Sequence, residues 1–281
     1  MFSSIRARAR VAVCVAIALL TTVPRLGALG DDAWKDLIAD AQRASGDHDY
    51  AKAEELFQKA LHEAERFAAD DWRAGLTLQG LGQVYRAEKR FGDSEKALKR
   101  SREIAVKAHD DGSIEVASVD LDMARLLLDA GRPGDAIAAA RNTVLTYERL
   151  LGGTDTQTGD ALCLLGNALR AARSMTEAET TLKRCLDIRQ KDGGIDTPEF
   201  ADALYSLAMT YSGQAKYALA EPRFTLAEKI REKTLGLTSP LLAQTFEDHA
   251  TVLKSMGRDK EAARLLVLAT AIRRTEKKEK N

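Results

Sequence analysis

Six copies of one pattern run through the 281 residues, and this repeat constrains the fold more than any other feature of the chain. Ala53 anchors the first copy. Its counterparts Ser94, Ala136, Ala178, Ala220 and Ala262 follow after 41 residues once and 42 residues thereafter. Twelve positions before each anchor stand Ala41, Gly82, Ala124, Gly166, Ala208 and Ala250. Seven after it stand Ala60, Ser101, Thr143, Cys185, Ala227 and Ala269. These three columns hold nothing larger than Thr or Cys. Larger apolar columns run between them, four after the anchor (Phe57, Leu98, Ala140, Leu182, Phe224, Leu266) and nine before it (Ala44, Tyr85, Leu127, Leu169, Tyr211, Leu253).

Positions sixteen, twelve and nine before the anchor share one face of a helix, and the anchor with positions four and seven after it share a face of a second helix. Turn residues separate the two: Ser45-Gly46-Asp47, Gly131-Arg132-Pro133-Gly134, Ser212-Gly213 and Met256-Gly257. Each copy therefore predicts a helix–turn–helix hairpin. Small residues let two antiparallel helices approach closely. A lone hairpin cannot bury its apolar face, but a stack of six can. With five prolines, 5% aromatic residues and no strand pattern, the fold class is all-α. Two copies depart from the pattern. Asp40 stands where later copies have Leu81, Leu165 or Leu207, as expected of an outer face that meets solvent. The third copy has Asp120, Pro133 and Ala140 in columns that are elsewhere mostly larger or apolar, which predicts a weaker or re-angled unit.

The pattern resembles the tetratricopeptide repeat, and its long period is similar to the kinesin light chain subtype. The residues that carry the likeness are Ile230-Arg231-Glu232-Lys233-Thr234-Leu235-Gly236 followed by Pro240. Ile188-Arg189 with Gly194 and Pro198 echoes them, as does Ile272-Arg273, and Ala220-Glu221-Pro222 fits the same subtype. The likeness covers about residues 31–276. It implies a right-handed superhelix (solenoid) of about six hairpins, with the first helix of each hairpin lining a concave groove. It also implies a non-catalytic scaffold or adaptor that binds a protein or peptide in that groove.

By the same resemblance, residues eighteen, fifteen, eleven and eight before each anchor face the groove. They supply Gln79, Gln83 and Arg86, then Leu121 and Arg125, then Asn167 and Arg170, then Tyr205 and Met209. Amide and guanidinium groups can hydrogen-bond an extended backbone or a carboxylate, while Leu121 and Met209 offer apolar contact. Arg86, Arg125 and Arg170 have a second reading as solvated side chains paired with acids such as Asp129 or Asp160. Repeats that clamp a chaperone tail use Lys, Asn and Arg on its terminal carboxylate. Asn167 fits that set, but Cys163 stands where the lysine belongs, so chaperone-tail binding is not predicted.

No enzymatic motif appears. His62-Glu63 lacks the second histidine of a zinc-protease motif, and neither a phosphate-binding glycine loop nor G-x-S-x-G is present. His249 reads as a core-edge histidine. The expectation is no cofactor, no metal and no catalytic residue. The 42 basic and 42 acidic side chains argue against nucleic-acid binding, which favours a clearly basic chain. Two rivals to groove binding stand. One is self-assembly through the terminal repeats, favoured by Leu265, Val267 and Leu268. The other is a small-ligand site or enzyme without a recognisable motif.

The first thirty residues read as an export signal. Arg6, Arg8 and Arg10 precede an apolar run from Val11 to Val23, and Ala28 and Gly30 supply the small residues of a cleavage site. The run is shorter than the roughly 20 residues that span a bilayer. The expected division is a signal over 1–30, the repeat array over 31–276 and a charged tail over 277–281. The mature chain, periplasmic or extracellular, would have no membrane contact. The alternative is an uncleaved anchor. Cleavage removes Arg6, Arg8, Arg10 and Arg25 and no acid, so the remainder is mildly acidic. Export would permit a disulfide between Cys163 and Cys185. The competing and preferred expectation is two small buried residues on a helix pair.

Overall fold

The computed structural model describes residues 26–68, 70–192 and 194–279. Apart from the backbone of residues 26–30, the expected signal lies outside them. Twelve helices form six hairpins among the described residues. The first pairs α1 (Leu26–Gly46) with α2 (Tyr50–Glu65), the second α3 (Trp72–Ala87) with α4 (Phe91–Ala108), and the third α5 (Ile114–Asp129) with α6 (Pro133–Leu150). The fourth pairs α7 (Thr156–Ala171) with α8 (Met175–Asp192), the fifth α9 (Pro198–Gly213) with α10 (Tyr217–Leu235), and the sixth α11 (Pro240–Ser255) with α12 (Asp259–Glu279).

Each hairpin turns at the same point. The residue five before every anchor has a left-handed backbone: His48, Lys89, Gly131, Arg173, Ala215 and Gly257, with φ from 57° to 75°. Glycine adopts this conformation without a steric penalty, yet only two of the six copies use it. The first turn is therefore built like the others, although its residues differ. Pro198 and Pro240 open α9 and α11, where a missing N–H costs nothing, and Gly236 ends α10 at φ 81°.

The small columns are fully enclosed. Ala41, Ala124, Ala208, Ala53, Ala136, Ala178, Ala220, Ala60, Cys185 and Ala227 are all 0% exposed. At Gly82 and Gly166 the helices approach so closely that an added Cβ would lie 2.6 Å from Leu98 Cγ and 2.5 Å from Leu182 Cγ. Where serine takes a small column, its hydroxyl donates across the hairpin: Ser94 Oγ to the Gly82 carbonyl and Ser101 Oγ to the Gly75 carbonyl, both at 2.7 Å. Buried polarity is thereby satisfied without adding bulk. In the third hairpin, Asp120 accepts from Arg102 Nε at 2.7 Å, and Ala140 is fully buried opposite Ala124. Both departures have a structural role.

Neighbouring hairpins are tied by an ion-pair ladder. The residue four before the anchor, at the start of the second helix, reaches the acid one after the anchor of the preceding hairpin. The pairs are Arg90–Glu54 (2.7 Å), Arg132–Glu95 (3.0 Å), Lys216–Glu179 (2.8 Å) and Arg258–Glu221 (2.8 Å). At the remaining junction both positions change together, to Ile137 and Ser174. Ile137 packs on the core instead.

Consecutive first helices touch each other (α3 with α5, α5 with α7, α7 with α9, α9 with α11), whereas among the described residues no two second helices do. The array therefore bends with its first helices on the inner side.

Candidate functional site

The inner face is built by α3, α5, α7, α9 and α11. Its side chains are joined along the array by bonds that repeat at separations of 39 and 43 residues. Gln79 Nε2 donates to Ser118 Oγ at 3.0 Å and to Asp122 Oδ2 at 2.7 Å, and Gln83 Nε2 donates to the same oxygen at 2.6 Å. Arg125 Nη1 donates to Asp122 Oδ1 at 2.9 Å. Asp122 is 3% exposed and is the node of this network. Two hairpins further on, the Tyr205 hydroxyl donates to Asp248 Oδ2 at 2.7 Å and accepts from Gln244 Nε2 at 3.2 Å. The sequence columns lay one position away from Asp122 and Asp248. The signal that would have found them is an acid in a column otherwise filled by Ala39, Gly80, Leu164 and Ser206.

The three expected groove arginines have different surroundings. Arg86 pairs with Asp129 at 2.6 Å, and Arg125 is held by Asp122. Arg170 has no ion-pair partner among the described residues; its buried Nε has no hydrogen-bond partner there, as is also the case for Arg86 Nε. The same is true of the buried Oδ1 of Asn167, one turn earlier on α7. Asp160 does not pair with Arg170. Arg189 takes it, from the Ile-Arg motif at the end of α8. One repeat on, Arg231 of the next such motif is 3% exposed, pairs with Asp202 at 2.6 Å and stacks on the Tyr205 ring at 4.6 Å. The motif arginines thus cross beneath the first helices and hold groove acids in place.

Two expectations need correction. Leu121 is 6% exposed and packs in the central core with Val144 and Tyr147, so it offers no groove contact. Cys163 and Cys185 form a disulfide between α7 and α8, with a Cα–Cα distance of 5.3 Å that suits such a bond. The preferred expectation of two unlinked cysteines fails because the small column at Cys185 brings α8 against the groove helix that carries Cys163. Gln79, Asn167, Tyr205 and Met209 are half-buried along the inner face, and Gln83 is exposed.

Burial sets the electrostatics of this face. It pushes the Tyr147 hydroxyl up to about 12, with the Asp122 charge adding to the effect. Burial and the hydrogen bond to Asp248 push Tyr205 up as well, which keeps it a neutral donor. Asp160 is also raised by burial, against the pull of Arg189. His249 is 5% exposed, places Nδ1 2.7 Å from Glu228 Oε1 and stacks on Phe224, as a core-edge histidine should. Among the described residues no cluster of three or more His, Cys, Asp or Glu is arranged to hold a metal ion, and no helix is long and apolar enough to cross a membrane.

Stacked hairpins, small columns and an inner face of polar side chains define a helical-repeat scaffold of the kind that typically serves protein interaction. A tetratricopeptide repeat family model matches residues 115–191 and 199–275, more than half of the chain, and the chain belongs to the tetratricopeptide repeat family. Among solved structures it is similar to BtubC (BKLC) from P. vanneervenii, with TM-score 0.66 and 19% identity over 87% of this chain and 92% of that one. It is also similar to aspartyl phosphate phosphatase F from Bacillus subtilis, with TM-score 0.64 and 14% identity over 89% of this chain and 76% of that one. The nearly identical TPR-like repeats of a Podosopora anserina protein assigned as a kinesin light chain match with TM-score 0.60 and 18% identity, over 71% of this chain and 95% of that one. At these identities the likeness shows the fold alone. No curated protein matches the chain.

Proposed function

We propose that this chain is a non-catalytic scaffold that binds an acceptor-bearing protein or peptide segment on its inner face, at Asn167 and Arg170. The observation that carries this reading is the contrast among the groove arginines. Arg86 and Arg125 have carboxylate partners, and Arg170 has none among the described residues. A guanidinium beside an amide on one helix face can hold a carboxylate or an extended backbone by charge-assisted hydrogen bonds. The neighbouring side chains are fixed by Asp122, Asp248 and the motif arginines, so little ordering is needed when a ligand arrives.

Peptide-library selection against the wild-type chain tests this. Arg170→Ala should weaken the selected peptides by about tenfold or more, the loss expected for a charge-assisted hydrogen bond. Arg86→Ala should change binding little. Unchanged affinity for every peptide in Arg170→Ala removes the proposal.

We further propose that the chain is exported through residues 1–30. The basic start, the short apolar run and the disulfide, a bond that persists in oxidising compartments, support this. N-terminal sequencing of the exported protein tests it. A start at Met1 rules out cleavage.

A further inference from the structure

The two ends of the array are finished differently. Interior contacts identify which positions of a second helix face the next hairpin. Glu54, one after its anchor, pairs with Arg90. Phe57, four after, fills the space beside Gly80. Arg141, five after, pairs with Glu177, and Glu228, eight after, meets His249. In the sixth hairpin these positions are Ala263, Leu266, Val267 and Thr270. Val267 is 68% exposed, Ala263 and Thr270 are exposed and Leu266 is half-buried. The opposite end is charged. Asp36, Asp40 and Arg43 stand exposed where the second hairpin buries Thr77, Leu81 and Val84.

Head-to-tail stacking would bury Asp36 and the Asp40–Arg43 ion pair against Leu266 and Val267, where neither side chain offers a hydrogen bond to offset the lost hydration, which is unfavourable. The apolar stripe is instead complementary to itself. Asp259, Ala263, Leu266, Val267, Thr270 and Arg274 lie on one face of α12 at steps of four, three, one, three and four residues, a spacing that reads the same from either end. Laying two such helices antiparallel about an axis between Leu266 and Val267 sets Leu266 against Val267 of the second copy. Ala263 then meets Thr270, and Asp259 meets Arg274. Both Asp259 and Arg274 are exposed.

We propose that α12 is a homodimer interface, packed antiparallel on a second copy of this chain about that axis. A two-fold contact of one patch with itself closes at two copies. The dimer carries two inner faces, so a partner with two copies of the bound segment gains avidity.

Sedimentation of the purified chain over a range of concentrations tests this. A monomer–dimer equilibrium is expected. Val267→Glu should raise the dissociation constant by about tenfold or more, because it places two like charges in an apolar contact. Val267 is exposed in the monomer, so helicity by circular dichroism should not change. Arg274→Asp should weaken the dimer, and adding Asp259→Arg should restore it. A chain monomeric at every concentration, a dimer indifferent to Val267→Glu, or growth beyond the dimer each overturns the proposal.

Discussion

Leu182 fills the space that a side chain on Gly166 would need. A Cβ there would lie 2.5 Å from Leu182 Cγ, and Leu182 is fully buried, so its side chain would have to shift within a packed core. Gly166→Ala should destabilise the fourth hairpin by about 1–3 kcal/mol through overpacking. Denaturant unfolding measures this. In a double-mutant cycle Gly166→Ala should cost less in a Leu182→Ala background, because the third hairpin already combines Ala124 with Ala140 at the matching positions.

Ala215 turns the fifth hairpin with φ 57°, a conformation that penalises its Cβ. Ala215→Gly should stabilise the chain by about 0.5–1 kcal/mol, and Gly131→Ala (φ 75°) should cost a similar amount. Thermal melts of the two variants should move in opposite directions. Movement in the same direction would show that the turn does not limit stability.

Hydrogen bonds from Lys183 and Lys216 hold the Glu179 carboxyl at about 2, below its ordinary 4.5. A carboxylate depressed in the folded state stabilises the fold above its unfolded value and loses that contribution as pH falls toward the folded one. The junction between the fourth and fifth hairpins should therefore weaken between about pH 4.5 and 2. Glu179→Gln should flatten the dependence of stability on pH in that window, as followed by acid titration of helicity. An unaltered acid profile would remove Glu179 as a contributor.

The Cys163–Cys185 bond closes a span of 22 residues within the fourth hairpin. By loop-closure entropy it should contribute about 3 kcal/mol. Reductant should lower the unfolding midpoint, and Cys163→Ala/Cys185→Ala should show no further loss on reduction. Thiol labelling of the denatured, unreduced chain should leave both cysteines unmodified. Labelling of either one contradicts the bond.

The sequence by itself determined the number of hairpins, the enclosed small columns and the large residues between them. It could do so because each column recurs every 42 residues or so and reports a local helix face. It also exposed the charged outer face at Asp40, since an acid stands out in a column that holds Leu81, Met123, Leu165 and Leu207 in the four copies that follow. Tertiary structure alone decided the state of the groove. Arg125 meets Asp122 three residues away on its own helix, but whether Arg86 or Arg170 is free depends on which acid the next hairpin brings within about 3 Å, the reach of a hydrogen bond. That is set by the rotation between hairpins and not by spacing along the chain. The same rotation buries Leu121 and makes Asp122 a shared acceptor. The disulfide was decided in this way too. Periodicity placed Cys163 and Cys185 on facing helices, but only the close approach at a small column brings their sulfurs together.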